Sequence, residues 1–351
     1  MATTWTEPRY SRTKIDKAGA CYSDPNSRQI DRDKARVIIN NWRSSHSYPL
    51  NTLQINLRRA AGQFDPEPTV AQRIKRLPSI RHKLERYPGM QLSRMQDLGG
   101  CRAVVGNVKR VSELLDYYLD SSQMKHRLVR ADPYIWEPKE SGYRSVHLVY
   151  AYHSDKKNTY NDLKIEIQLR SQLQHAWATA VETVGTFSQQ ALKSSLGEKG
   201  WLRFFALMSS ALALREGTPL VPGTPEDPVD LVDELRDYAS ELQVIDRLSA
   251  YGAALQRVEE QMRPRAKHTF LLELDVEKRV LRVSSYANPS QAARDYSIAE
   301  RRTENDPAID VVLVSADSIA SLKRAYPNYF LDTTAFLESV EEAIQGAYAY
   351  V

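Results

Sequence analysis

Cysteine is scarce in this chain, with only Cys21 and Cys101 in 351 residues. Two thiols can build neither a disulfide framework nor a four-cysteine zinc site, and such usage suits a reducing cytoplasm. Long hydrophobic runs are missing too. No stretch of about 18 apolar residues occurs, so no membrane span and no membrane partner are expected. The opening MATTWTEPRYSRTK has no apolar core and does not read as a signal peptide. From residue 265 onward there is no cysteine and only one histidine, His268, so the usual ligands of structural zinc are lacking there.

What is present is ordinary for a soluble globular protein: 42% apolar and 26% charged residues. The length allows about two domains. The charge is divided unevenly along the chain. Residues 1–215 carry 34 Lys and Arg against 20 Asp and Glu, whereas residues 216–351 carry 14 against 24. A basic first part suits a polyanion such as RNA or a nucleotide. The acidic second part either aids solubility or covers the basic face of the first.

Helices are expected first, from Arg32 to Ser44 after an Asp31 N-cap, and again from Asn51 beyond the break at Pro49. Gly62 to Pro68 reads as a linker. Val70 to Arg76 alternates as a strand with Arg73 and Lys75 on one face. Pro78 then permits a helix on which Ser79 and Lys83 share a side. Arg73, Lys75, Ser79 and Lys83 either converge on a triphosphate or form a solvated basic surface. Cys101 to Val105 reads as a buried strand entered through Gly99-Gly100, with Arg102 at its start. Asp97, before that turn, is a Mg²⁺ ligand or a turn residue.

Asp132 to His147, DPYIWEPKESGYRSVH, joins an aromatic-rich approach, Lys139, a Gly142 hinge, Tyr143, Arg144 and His147. A tyrosine among cations is a platform for a nucleobase carrying phosphates, and Gly142 lets backbone and ring lie close to a ligand. The alternative is a hairpin turn with a structural tyrosine. In LKIEIQLR, Glu166, Gln168 and Arg170 alternate with Ile165, Ile167 and Leu169, so three polar groups line a cleft or face water. Helices follow at Gln172 to Thr186 and Trp201 to Leu214. After a Pro- and Gly-rich segment, one long helix is expected over residues 231–262. The remainder reads as short strands at Phe270 to Leu274, Val280 to Ser284 and Ile309 to Ser315. A helix at Ser318 to Ala325, the run YPNYF and a closing helix complete it.

Taken in order, RIKRLPSIRHK, DLGGCR, PKESGYRSVH and EIQLR resemble the RelA/SpoT-type synthetase domain. The resemblance implies an α+β fold, a mixed β-sheet flanked by helices, that transfers pyrophosphate from ATP to a ribose 3′-hydroxyl. It places adenine between Arg73 and Arg102, and phosphates at Lys75, Ser79 and Lys83. It puts Mg²⁺ at Asp97 and Glu166, with Glu166 helping to deprotonate the hydroxyl, and the acceptor base on Tyr143. Lys139, Arg144, His147, Gln168 and Arg170 support that cleft. Ser141 stands where the family usually has asparagine. The added acidic part and its YPNY run are similar to the CapRel fused toxin–antitoxins. The chain reads as a first domain over 1–215, a linker and long helix over 216–264 and a last domain over 265–351, and that likeness implies that the first is a synthetase and the last a zinc-finger-like domain without zinc. It further implies pyrophosphorylation of the tRNA acceptor end, Tyr326 and Tyr329 of the folded-back domain blocking the ATP site, and release by a phage capsid protein. An alarmone synthetase and a non-catalytic nucleotide- or RNA-binding module share the same motifs.

Overall fold

The computed structural model describes residues 5–348 apart from 121, 123, 192–196, 255–256, 262–268, 305, 307 and 317. The chain opens with helices α1 (Arg12–Ser23), α2 (Gln29–Ser45) and α3 (Ser47–Phe64). Then come β1 (Thr69–Ile74), α4 (Leu77–Arg86), β2 (Gly99–Val105), α5 (Val108–Leu119), β3 (Arg127–Pro133), β4 (Val146–Ala151) and β5 (Lys164–Ser171). A helical block follows: α6 (Gln172–Ala191), α7 (Gly197–Glu216), α8 (Pro228–Glu241) and α9 (Val244–Ala254). The last part holds β6 (Arg257–Gln261), β7 (Thr269–Asp275), β8 (Val280–Tyr286), α10 (Pro289–Arg302), β9 (Ile309–Ser315), α11 (Ile319–Ala325) and α12 (Thr334–Ile344). The strands form one mixed sheet in the order β3-β4-β5-β2-β1-β9-β7-β8-β6, flanked by helices, as the α+β expectation required. β2 pairs with β5 in parallel, as does β6 with β8.

The elements differ from expectation where local chemistry outweighs periodicity. α2 starts before Asp31, which sits in its first turn and bonds back to Arg28 at 2.8 Å. Pro49 does not break a helix. It is the third residue of α3, where the missing N–H has no intrahelical partner to lose. The long helix expected over 231–262 is two helices and a strand. α8 ends at Glu241, and Gln243 adopts a left-handed φ of 50°, which no helix continues through. Val258 lies in β6, and residue 262 falls outside the described residues.

The core is divided by face. Ile165, Ile167 and Leu169 of β5 are fully buried with Cys101 and Ala103 of β2, against helices of the first part. Full burial of each such aliphatic chain is worth about 1.5–3 kcal/mol. A second, helical core joins α6 to α9, and α12 inserts Phe336, Val340 and Ala343 into it. The tail of the chain therefore packs on the helical block. The third core, around Leu272, Val312 and Leu322, also takes in Ala71 of β1.

The acidic C-terminal part docks on arginines of the first part. Arg43 and Glu300 form a pair with side chains only 2% and 3% exposed. Glu300 also accepts from Leu77 N at 3.0 Å, and Tyr296 packs against the Arg43 guanidinium. Arg36 pairs with Glu304, which accepts from the Tyr22 hydroxyl at 3.1 Å, and Arg76 pairs with Asp310. Glu300→Ala leaves Arg43 charged, buried and unpaired, a cost of about 3–5 kcal/mol. The expected outcome is a lowered urea midpoint of the full chain, with early amide exchange in α10.

Candidate functional site

Sheet register assembles the site. β2 sets Gly100 beside Glu166 and Arg102 beside Gln168. β1 adds Arg73 beside Gly100, and β4 adds His147 beside Gln168. Residues two apart on a strand share a face, so Arg73, Arg102, Glu166, Gln168 and His147 project from one side. Ile165, Ile167 and Leu169 occupy the other. Gly100 keeps this face open: a Cβ there would meet nothing nearer than Glu166 O at 3.8 Å.

At one end of the face, Asp97 Oδ2 accepts from Lys75 Nζ at 2.8 Å and Lys83 Nζ at 3.0 Å. Burial pushes Asp97 up, but the two lysines outweigh it and hold the carboxyl below its usual range. Burial likewise draws Lys75 down, opposed by Asp97. Lys75, Ser79, Lys83 and Asp97 line a cavity of about 530 Å³ together with His82, Arg86 and Tyr87. These last three escaped sequence reasoning. The signal was there: Ser79, His82, Lys83 and Arg86 recur at helix spacing along one side of α4.

At the other end runs a closed loop of hydrogen bonds. Arg170 Nη2 donates to the Tyr143 hydroxyl at 2.8 Å, which meets His147 Nε2 at 2.6 Å. His147 Nδ1 lies 2.9 Å from Glu166 Oε1, Gln168 Nε2 donates to Glu166 Oε2 at 2.7 Å, and Arg170 reaches Gln168 Oε1. Burial would raise Tyr143, yet Arg170 and His147 bring its hydroxyl down to about 8. His147 is raised despite its burial, because Glu166 and Tyr143 favour the imidazolium. Burial alone would raise Glu166, but His147 holds it down. Arg170, one of three polar groups expected to line a cleft or face water, is buried, and its Nε and Nη1 have no hydrogen-bond partner. Buried donors of that kind are normally satisfied by water or a ligand.

Two expectations around this loop need correction. Arg144 is not in the cleft. Its guanidinium is buried, donating to Ser209 Oγ at 2.9 Å, Ile135 O at 3.0 Å and Pro219 O at 2.6 Å, so it ties the loop to α7. Gly142, read as a hinge bringing backbone and ring close to a ligand, has a positive φ of 85°, but the space it frees is filled by α7 rather than left for a ligand. A Cβ there would lie 2.9 Å from Phe205 O. Lys139, expected in the same cleft, has its Nζ 5.4 Å from the Tyr143 ring centroid. His175 is buried, with Nε2 3.0 Å from Arg324 O and Nδ1 unpartnered.

Between the two ends sits Tyr326. Its ring lies under the Arg102 guanidinium at 5.5 Å, and its hydroxyl donates to Gln72 O at 3.1 Å. Arg102 also donates to Ala325 O. Burial and Arg170 draw Arg102 down to about 10, with Tyr326 opposing them. Arg73, Lys75, Asp97, Gly100, Arg102, Glu166, Gln168 and Tyr326 all line one small cavity of about 90 Å³. Tyr329 does not reach Arg73 or Arg102 by any hydrogen bond described; its hydroxyl accepts from Arg76 at 3.4 Å. Both tyrosines are buried and belong to the C-terminal core as well. β9 completes the contact by pairing with β1 at Gln72 and Arg73.

The two carboxylates meet the donor set of a hard divalent cation. Asp97 and Glu166 face one cavity, and Asp97 Oδ1, 3.0 Å from Lys83 Nζ, has no hydrogen bond of its own. Among the described residues no third carboxylate, histidine or cysteine joins them. Mg²⁺ commonly takes one or two carboxylates, with phosphates and water supplying the rest.

Residues 72–190 match the family model described as a region found in RelA / SpoT proteins. GTP pyrophosphokinase YjbM of Bacillus subtilis is 35% identical over 115 residues, 31% of this chain and 52% of that protein. The chain thus spans about half the length of that relative. A GTP pyrophosphokinase family protein of Streptococcus pneumoniae has a TM-score of 0.41 and 28% identity, covering 48% of this chain and 86% of that one. Small alarmone synthetase 1 of Bacillus subtilis, bound to its product pppGpp, has a TM-score of 0.43 and 22% identity, covering 53% of this chain and 94% of that one.

The lowered Tyr143 hydroxyl has a measurable consequence. It ionises near 8 in the folded chain, against about 10 when unfolded. The unfolded state then holds more protons between those values, so this group adds stability as pH rises from about 8 to 10 and adds none below. An ultraviolet difference titration should show one tyrosine ionising early. Tyr143→Phe should remove that step, and Arg170→Gln should move it upward.

Proposed function

We propose that this chain is an ATP-dependent pyrophosphotransferase acting on the 3′-hydroxyl of the terminal adenosine of tRNA, held inactive by its own C-terminal part. The observation that carries the proposal is the position of Tyr326. Its aromatic ring takes the face of Arg102 inside the cavity that Asp97 and Glu166 also line. An adenine stacked between Arg73 and Arg102 would need the same space. In this reading Lys75, Ser79 and Lys83 hold the triphosphate at the α4 end, where the cavity is still open. Asp97 and Glu166 would hold Mg²⁺, which when bound neutralises charge on the transferred phosphates. Glu166, fixed by His147 and Gln168, takes the proton of the attacking hydroxyl, and Tyr143 carries the acceptor base. Fixed cations around phosphate oxygens provide most of the rate in such transfers.

The excess of basic residues in 1–215 supports a large polyanionic acceptor. The pairing of Glu300, Glu304 and Asp310 with Arg43, Arg36 and Arg76 supports closure by the chain's own end. The zinc-finger-like character of that end and its release by a phage capsid protein belong to the same proposal. A second reading, an alarmone synthetase making (p)ppGpp or (p)ppApp, is favoured by the GTP pyrophosphokinase name of the curated relative.

Labelled ATP, supplied with tRNA and with GDP or GTP in separate reactions, distinguishes the two. Under the first reading Tyr326→Ala raises label on tRNA above that of the unaltered chain. Adding Glu166→Gln then lowers transfer about 10²–10⁴-fold. Label appearing only on mononucleotides would replace the tRNA reading with the second one. Label on neither, with the variant folded, would remove both.

A further inference from the structure

We infer that Tyr134 is a second base platform: with Tyr143 it takes two consecutive nucleotides of a single-stranded RNA end, and Lys139 holds the phosphate between them. The inference rests on the tRNA reading above and specifies how that acceptor is gripped.

Three observations carry it. The rings of Tyr134 and Tyr143 have centroids 6.2 Å apart and planes 67° apart. Two rings so inclined cannot sandwich one flat base, so each face serves a base of its own. Lys139 lies between them, its Nζ 4.0 Å over the Tyr134 ring and 5.4 Å from Tyr143. It is exposed, and among the described residues no carboxylate pairs with it. A lysine on a flexible stem can leave a ring face for a phosphate as the base arrives. Arg130 lies beside the strip, its Nη2 3.5 Å from the Tyr134 hydroxyl and its side chain 53% exposed, with its Nε paired to Asp132 at 2.8 Å. Alternating aromatics and cations on an accessible surface form the pattern that binds single strands.

The place of the strip matters as much as its composition. It follows β3, at the sheet edge opposite the side where β9 joins β1. The cavity that Tyr326 closes includes Gln168 but none of Tyr134, Lys139 and Tyr143. In the docked chain Lys139 is exposed and Tyr134 and Tyr143 are half-buried, so the strip can meet RNA before the chain can use ATP. Tyr134 is also braced edge-on by His147, with centroids 5.4 Å apart, which links the outer base to the group that orients Glu166. A mononucleotide acceptor needs Tyr143 alone. Tyr134 is therefore the residue that separates a polynucleotide from a nucleotide.

The test uses the full chain and a fluorescent single-stranded RNA ending in CCA, with AMP as the mononucleotide probe. Tyr134→Ala is expected to weaken RNA binding about tenfold or more, the scale of one lost base–aromatic stack. AMP binding should change by less than about twofold on the same scale. Tyr134→Phe keeps the ring and should bind both as the unaltered chain does. Tyr134→Leu, which fills the space beside His147 without a π face, should behave as Ala and guards against a loosened turn. Lys139→Ala should reduce the salt dependence of RNA binding by about one contact. Equal losses for RNA and AMP, or RNA binding untouched by Ala and Leu, would overturn the inference. Failure of the tRNA reading shows differently: RNA binds with this pattern, yet no label passes from ATP to tRNA.

Discussion

Parallel pairing of β2 with β5 is the constraint on which the site depends. It fixes Gly100 against Glu166 and Arg102 against Gln168, residues more than sixty positions apart in the chain. A slip of one residue would turn Glu166 and Gln168 into the core and push Ile165 and Ile167 into the cleft. The buried aliphatic face therefore holds the polar face in register. The hydrophobic effect, which discriminates nothing among ligands, sets the distances at which discrimination occurs.

Charge is handled by the same logic of fixed partners. Arg73, Arg102, Arg170, Lys75 and Lys83 crowd one region against Asp97 and Glu166. The resulting field draws Tyr143 toward ionisation, while burial first and then Arg170 lower Arg102. It is a field prepared for an anion. In the closed chain part of the demand is met from within, by carbonyl oxygens at the end of α11 that face Arg102 and His175, and by the face of Tyr326. A helix C-terminus carries about half a negative charge, which is a weak substitute for a triphosphate.

Much of this was legible in the sequence, and the reasons are particular. Alternation in LKIEIQLR was decisive because one face of β5 is wholly apolar, so the strand and its polar row could be read directly. The family resemblance set Asp97 and Glu166 together and named Tyr326 and Tyr329 as blocking residues; Asp97, Glu166 and Tyr326 line one cavity. What escaped was whatever depended on packing between distant elements. Arg144 looks like a cleft cation in any linear reading, and only α7 lying across Gly142 explains why it faces inward. Tyr134 looked like one more aromatic before a turn. The break after Glu241 was hidden because apolar spacing continues across it, while Gln243 turns the chain with no glycine or proline to announce it. Nor does composition reveal that β9 extends the same sheet as β1, since two paired positions leave no mark on the pattern.

That shared sheet has a consequence if the C-terminal part detaches as proposed. With β9 withdrawn, β1 becomes a bare border whose Gln72 and Arg73 amides and carbonyls lose their neighbours. Unprotected borders of this kind recruit strands from other molecules. Under the proposal that the C-terminal part restrains the chain, its withdrawal would thus expose a strand border prone to clumping.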